Sequence, residues 1–452
     1  MQDYNDNKQN QNKQGTRRPV SGQRQSAGGQ RRRPAGGQGQ PAGGQRRRPA
    51  NGQPAQGQRR RPASGQGQQA RGQQRPRPNT APKTGKKKAK NKKWKIALFV
   101  VEILVICTLV GACWVMSKVN KITHVQITEE EKKEELAIDE NIAESEVLKG
   151  YRNVALFGVD SRQGKLDEKT LSDTIMIASI NLDTKEVKLV SVYRDTWLNL
   201  SNDSYNKANS AYSKGGYKQA MAMLNMNLDL DVEDFVTIGF DGLIDVIDAV
   251  GGIEIDVKQA EIEHINNYQI SMVGKPTGEL NAANEPIYYA EPYVEYTPVE
   301  HAGLQKLNGL QATGYARVRY VGNDMERASR QRTVLTKVAK KAMTLNPDTL
   351  DKIADAVFPK VMTSLSLPEI FELLKDIASY EIGETSGFPF DEYMVPNGRV
   401  GKASVVVPVD LEKNVTLLHE FLFDDDDYVP SETVKKCSKK IVSDTGISYN
   451  GE

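Results

Sequence analysis

Hydrophobic residues are distributed very unevenly along the chain. Residues 1–93 contain one member of the Val/Ile/Leu/Phe set, Val20, among Gln, Gly, Arg and Pro. With no apolar surface to offset chain entropy, this segment is predicted to be disordered. The next segment is the opposite. Ile96–Met116 is a 21-residue run interrupted by one acid, Glu102, with Trp94 and Trp114 near its two ends. Such a run is long enough to cross a bilayer as a helix, and the tryptophans suit its interfaces. It is longer than a signal-peptide core and lies far from the N-terminus, so residues 94–117 are predicted to be an uncleaved transmembrane helix.

Beyond it the pattern changes twice more. Residues 118–149 are acidic, helix-prone and short of a sustained apolar stripe, which predicts a stalk. Residues 150–425 hold enough apolar residues for one large domain. Within that domain NVALFGV (153–159), DTIMIASINL (173–182) and EVKLVSVY (186–193) read as strands, with a hairpin turn at Asp183-Thr184-Lys185. TIGFDGLIDVIDAVGGIEIDV reads as strand, helix and strand. Phe240, Leu243, Ile244, Ile247 and Val250 repeat at helical spacing, Asp241 is placed to cap the helix start, and Gly251-Gly252 to end it. Alternation of this kind predicts an α/β protein, a three-layer α/β/α sandwich around a mixed sheet. Residues 262–300 are polar, proline-punctuated and tyrosine-bearing, and read as an excursion between core elements. Helical patterns resume at Arg327–Met343 and Leu367–Ile377, and ASVVVPVDLEKNVTLLHEFLF reads as a strand and a final helix. Residues 426–452, after a run of four aspartates, are predicted to be a solvated tail.

Charge divides the chain at the same place as hydropathy. The formal net charge is +3, but residues 1–95 carry 25 Lys and Arg against Asp3 and Asp6, leaving 36 basic and 56 acidic residues for the remainder. The basic run GKKKAKNKKWK just before the apolar segment orients it with the tail in the cytoplasm and everything after Ser117 outside. GQRRRPA occurs at 29–35, 44–50 and 57–63. In a cytoplasmic arm such repeats read as attraction to anionic lipid, at about 1 kcal/mol per basic residue near the surface, rather than as a nucleic-acid arm. Two of the three cysteines, Cys107 and Cys113, lie in the apolar run, and Cys437 stands alone. His124, His264, His301 and His419 lack metal-ligand spacing. A disulfide framework and a Cys/His zinc site are therefore excluded, and any metal site has oxygen ligands.

Charged residues placed where apolar strands end are the candidate chemistry. Asp160 and Arg162 follow NVALFGV, and Asp173 opens the next strand. Two such acids at one sheet edge suit Mg²⁺ or Mn²⁺, with turn capping as the alternative reading. Arg194 and Asp195 end the third strand. In ARVRY, read as a strand, Arg317 and Arg319 project to one face, and Arg327 and Gln331 share a face of the helix that follows Asp324. Clustered guanidiniums in an acidic domain suit an anion with many oxygens; surface salt bridges are the alternative.

Taken in order, NVALFGVDSR, SDTIMIASIN, VSVYRDT, YNKANSAYSKGG, the FDGLIDVIDAVGGIEIDV block, LNGLQATGYARVRY and DMERASRQR resemble the LytR-CpsA-Psr family of Gram-positive cell-wall enzymes. The resemblance covers about 150–345 and continues towards 425. It implies a single-pass membrane protein whose outer domain transfers a phospho-glycopolymer, such as teichoic acid or capsule, from undecaprenyl pyrophosphate to a peptidoglycan sugar hydroxyl. It also implies that Asp160 and Asp173 hold a divalent metal, and that Arg194, Arg317, Arg319, Arg327 and Gln331 surround the pyrophosphate, with Arg162 and Lys207 as further candidates. Asp195 and Asp324 are the candidate general bases. One departure stands out: many members have Arg two residues before the second acid, where this chain has Leu171, with Lys165 or Lys169 near enough to compensate. A noncatalytic wall-polymer binding protein and a membrane-bound transcriptional attenuator are the alternative functions. No helix-turn-helix pattern supports a nucleic-acid partner.

Overall fold

The computed structural model describes residues 99–103, 105–106, 117, 121–160, 166, 170–280, 286–289 and 296–449. The predicted disordered tail (1–93) and most of the predicted transmembrane helix (94–117) lie outside the described residues. Residues 99–103 and 105–106 are helical. Among the described residues no helix is long and apolar enough to cross a membrane.

The organising element is a mixed seven-stranded sheet flanked by helices. From one edge its strands are Thr123–His124, Val361–Thr363, Asp234–Gly239, Tyr151–Val159, Ser172–Asn181, Glu186–Val192 and Glu381–Phe388. The three predicted strands form as expected because their side chains are buried in near-continuous runs, with Phe157, Ile175, Ile177 and Val190 almost fully inaccessible. Lys185 closes the predicted hairpin with a positive φ of 64°, while Asn181 Oδ1 accepts from the amides of Asp183 and Thr184. Gly251 and Gly252 end helix Phe240–Ala249 with φ near +80°. Its start differs from expectation: Gly239 is the N-cap, and the Asp241 carboxylate lies instead 3.8 Å from Lys360 Nζ.

Helices cover the sheet through separate apolar clusters. Phe157, Ile175 and Val190 pack with Met221, Met223 and Leu224 of helix Ser210–Leu228. Ala178, Val187 and Leu189 meet Leu335 of helix Asp324–Ala342. A further cluster joins Ile247, Ile265, Tyr315 and Val334 around the antiparallel pair Ile253–Val257 and Gly303–Leu307.

The predicted stalk and the predicted C-terminal tail are both corrected. Leu136, Ile142 and Leu148 are buried in the main core, and Thr123–His124 pairs with Val361–Thr363. Helices Glu129–Glu135 and Glu140–Ala143 are too short to show an apolar stripe, so burial by isolated residues escaped the periodicity reading. The buried Asn225 side chain ties this segment down by donating to Leu136 O and Val232 O at 2.9 and 3.0 Å. At the other end, Glu432–Thr445 is a helix that buries Val434, Cys437 and Ile441 against the same core. Those residues fall at i, i+3 and i+7, a stripe diluted by four lysines. Ser431 caps the helix and donates to Asp229 at 2.7 Å.

One half-buried acid is a liability. Asp231 accepts from Asn153 Nδ2 at 2.6 Å, but burial pushes its pKa from 3.8 up to about 6. The folded protein therefore binds this proton more tightly than the unfolded chain, and stability falls as pH rises through that interval. Asp231→Asn is expected to stabilise the protein above pH 7 by up to about 3 kcal/mol. Thermal unfolding of the two proteins at pH 7.5 and pH 3.5 checks this, since the advantage should disappear at the lower pH.

Candidate active site

Strand directions decide where the functional side chains meet. Tyr151–Val159 runs parallel to Asp234–Gly239 and antiparallel to Ser172–Asn181, which is in turn antiparallel to Glu186–Val192. Three strands therefore end, and one begins, at the same edge. That edge carries Asp160, Phe240, Arg194 and Asp173, and the carboxyl ends of strands in open α/β sheets are where ligands bind.

A β-bulge shapes the acidic pair. Gly158 pairs with Thr174 and Val159 with Ser172, so Asp173 is the extra residue and leaves the ladder. The strands approach so closely here that a Cβ on Gly158 would lie 2.8 Å from Thr174 Cβ, which explains glycine before Val159-Asp160. Asp160 and Asp173 line one pocket of about 690 Å³, together with Arg194, Arg317, Arg319, Arg327 and Gln331.

Helix Asp324–Ala342 brings its first two turns to the pocket. Asn323 and Glu326 form a reciprocal cap, which fixes the helix start and places Arg327 and Gln331 on the face towards the sheet edge. Arg194 Nη1 donates to Asp173 Oδ1 at 2.7 Å, and its Nε lies 3.3 Å from Asp324 Oδ1. Arg327 Nη2 lies 3.1 Å from the same Asp324 oxygen and donates to the Asp173 carbonyl at 3.2 Å. Asp324 is thus a clamp between two guanidiniums.

Burial disfavours the charge on both arginines, with different outcomes. For Arg194 the attraction of Asp173 and Asp324 outweighs burial and raises its pKa. Arg327 is 5% exposed, and burial together with repulsion from Arg194 and Arg319 outweighs Asp324 and lowers it. Its buried Nε has no hydrogen-bond partner among the described residues. The pocket lining holds four arginines against two aspartates, and with Asp324 paired to two of them the cluster keeps a formal surplus of one positive charge. An anionic ligand with many oxygens suits such a lining.

The structure corrects the placement of two arginines while keeping them together. Gly309–Arg317 is a helix, not a strand, opened by an Asn308/Gln311 capping box. Ala312, Tyr315 and Ala316 bury one helical face, and this period overrides the alternation of ARVRY. Arg317 is the last helical residue and Arg319 follows Val318, whose extended ψ of 121° leaves the helix. The Arg317 guanidinium lies 4.3 Å from the Phe240 ring centroid and 5.0 Å from that of Tyr268, and donates to Ser271 Oγ at 3.4 Å. Aromatic faces on this scale attract and orient the cation.

Other candidates fall elsewhere. Lys207 Nζ and Asp195 Oδ1 pair at 3.0 Å, outside the residues that line the pocket. Arg162, Lys165 and Lys169 lie outside the described residues. Leu171 is 46% exposed. Arg330, in the same arginine-rich run, turns inward: it donates to Glu261, Val318 O and Val321 O at 2.7, 2.9 and 2.6 Å, and so holds the segment that carries Arg319.

One wall was not foreseen. The polar excursion begins with helix Ile262–Val273, which presents His264, Asn267, Tyr268 and Ser271 to the pocket, and Pro286–Tyr288 add to it. Those four residues fall at i, i+3, i+4 and i+7, a helical signal present in the sequence but carried by polar residues.

Two carboxylates are a fitting donor set for Mg²⁺, which takes one or two protein carboxylates and completes its octahedron with phosphate oxygens and water. Among the described residues no group of three or more His, Cys, Asp or Glu converges as an all-protein metal cage.

Comparison with known proteins agrees with this architecture. Biofilm regulatory protein A of Streptococcus mutans is 29% identical over 250 residues, 51% of this chain and 56% of that protein, so the chain spans little more than half of that relative. The polyisoprenyl-teichoic acid–peptidoglycan teichoic acid transferase TagT of Bacillus subtilis is 25% identical over 317 residues, covering 68% of this chain and 89% of the relative. A solved Streptococcus agalactiae protein shares the fold with a TM-score of 0.50 at 26% identity, over 69% of this chain and 96% of that one. The model of the LytR_cpsA_psr family matches residues 113–400, and the chain belongs to the LytR-CpsA-Psr family.

Proposed function

We propose that this protein is a membrane-anchored phosphotransferase that moves a phospho-glycopolymer from a polyprenyl pyrophosphate to a sugar hydroxyl of peptidoglycan. The observation that carries the reading is the convergence of Arg194, Arg317, Arg319 and Arg327, from three separate segments, on a pocket that also holds Asp160 and Asp173. A pyrophosphate diester is an anion with many oxygens, the kind of ligand that clustered guanidiniums suit. The names of distant relatives as teichoic acid transferases point the same way.

In the proposed reaction the acceptor hydroxyl oxygen attacks the sugar-side phosphorus. The bond from that phosphorus to the bridging oxygen breaks, polyprenyl phosphate departs with that oxygen, and the hydroxyl proton passes to solvent. Such transfer depends on positioning and charge stabilisation more than on a protein nucleophile. Arg194 and Arg327, fixed by Asp324, hold the phosphate oxygens in line, and Arg317, held between two rings, neutralises charge growing on the leaving phosphate. A Mg²⁺ or Mn²⁺ ion held by Asp160 and Asp173 would supply further charge neutralisation. Asp324 is committed to its two arginines and Asp195 to Lys207, so both candidate bases act here as orienting groups.

The anchor follows from the same substrate. The predicted span at 94–117 would hold the domain outside the cell, beside a donor confined to the bilayer, and raise its effective concentration. The basic tail would meet anionic lipid on the other side. Met221 and Leu224 are fully buried in the main core and do not line the pocket, whereas Phe240, Ile270 and Ile287 do and offer the apolar contact for the first isoprene units.

The test uses full-length protein in detergent with a polyprenyl pyrophosphoryl glycopolymer donor and peptidoglycan, with and without Mg²⁺. Arg317→Ala is expected to lower transfer by about a hundredfold. Equal transfer by wild type and variant would remove Arg317 from the machinery, and wild-type transfer no higher than a protein-free control would leave a noncatalytic polymer-binding role as the better reading.

A further inference from the structure

The pocket offers more than the arginines use. Its lining continues past Arg319 to Tyr320, His264 and Asn267. The His264 and Tyr320 rings stack with centroids 5.5 Å apart at 29°, and Tyr320 is 45% exposed. Arg319 joins this pair to the cationic cluster: its guanidinium lies 5.4 Å from the Tyr320 ring centroid, and its Nη2 is 3.5 Å from the Tyr320 hydroxyl. Asn267 is exposed one turn along from His264 on the same helix face.

This chemistry fits neither end of a polyprenyl pyrophosphate. A pyrophosphate has no apolar face to lie against rings, and an isoprene chain has no group to match an amide and an imidazole. A pyranose has both, with an apolar C–H face and a rim of hydroxyl or acetamido groups. Aromatic bodies with polar tips and a few placed amides recognise such mixed surfaces. Given the phosphotransferase reading, on which this inference rests, a sugar bonded to the outer phosphate lies next to Arg319.

We propose that His264, Asn267 and Tyr320 form the subsite for the first sugar of the donor, so that the wall contributed by the 262–273 helix reads which glycopolymer is transferred. The rings supply contact area, and Asn267 selects among ring substituents.

Binding of two probes to full-length protein in detergent tests this: undecaprenyl pyrophosphate, and the same lipid carrying one N-acetylglucosamine. Wild type is expected to prefer the sugar-bearing lipid by about tenfold, the scale of one well-placed aromatic contact. Tyr320→Ala is expected to abolish that preference while binding the sugar-free lipid within about twofold of wild type. Tyr320→Phe should keep the preference, because the ring remains. Asn267→Ala, at an exposed position that folding does not depend on, should reduce it. A Tyr320→Ala protein that retains the preference, or that weakens both lipids equally, overturns the subsite. If wild type binds neither lipid, the phosphotransferase reading fails as well, which separates the two claims.

Discussion

Arg194→Ala is expected to reduce glycopolymer transfer by two to three orders of magnitude, about the cost of removing a preorganised charge-stabilising donor. Arg194 forms ion pairs with two carboxylates of the site, 2.7 Å from Asp173 and 3.3 Å from Asp324. Its loss leaves Asp173 without its guanidinium and Arg327 without a rigid Asp324. Arg194→Lys should recover only a small part, because an ammonium is a point charge and lacks the planar fork that reaches two carboxylates at once. Single-turnover transfer with saturating donor separates this effect from binding. A variant within about twofold of wild type would remove Arg194 from the catalytic machinery.

The second large effect falls on stability. Arg330→Ala is expected to destabilise the protein by about 3–5 kcal/mol, the cost of leaving one partner of a buried ion pair alone. Arg330 and Glu261 are 2.7 Å apart with side chains 5% and 2% exposed. The substitution also releases the carbonyls of Val318 and Val321, between which Arg319 and Tyr320 sit. Urea unfolding followed by tryptophan fluorescence should show a lower midpoint with little change in slope. Replacing both partners together, Arg330→Met with Glu261→Leu, should recover much of the loss, because no charge is then stranded. An unchanged midpoint in Arg330→Ala would show that the pair contributes nothing.

These two arginines illustrate what the sequence made legible. Arg194 follows a largely buried strand, and the direction of that strand is enough to bring it to the same edge as Asp160 and Asp173. Arg330 belongs to the same arginine-rich run as Arg327 and is equally buried, yet its guanidinium goes to Glu261 and the carbonyls of Val318 and Val321 and not to the pocket. Composition and helical phase both cluster the two, and only the tertiary partners of each guanidinium separate them. Arg317 and Arg319 were misplaced on a strand because Ala-Arg-Val-Arg-Tyr alternates over five residues. The Asn308/Gln311 capping box upstream carried the better signal, since it opens a helix that reaches Arg317.

The remaining errors share one physical cause. Residues 129–148 and 432–445 bury few apolar side chains among many charges, so hydropathy reads them as solvent-facing although Leu136, Leu148 and Ile441 are almost inaccessible. In helix Ile262–Val273 the periodic face is polar because it lines a pocket rather than a core. Periodicity of polar residues is a weak signal beside apolar periodicity, and here it marked the wall of the site.

The central claim, that the arginine pocket transfers the sugar-side phosphate of a polyprenyl pyrophosphate, is tested most directly by the fate of that phosphorus. A donor with ³²P at the sugar-side position is incubated with full-length protein and peptidoglycan, and the washed polymer is digested and counted. The account predicts label in peptidoglycan fragments as a phosphodiester, with unlabelled polyprenyl phosphate released in equal amount. Label that stays with the lipid, or glycopolymer that reaches peptidoglycan without it, would contradict the account.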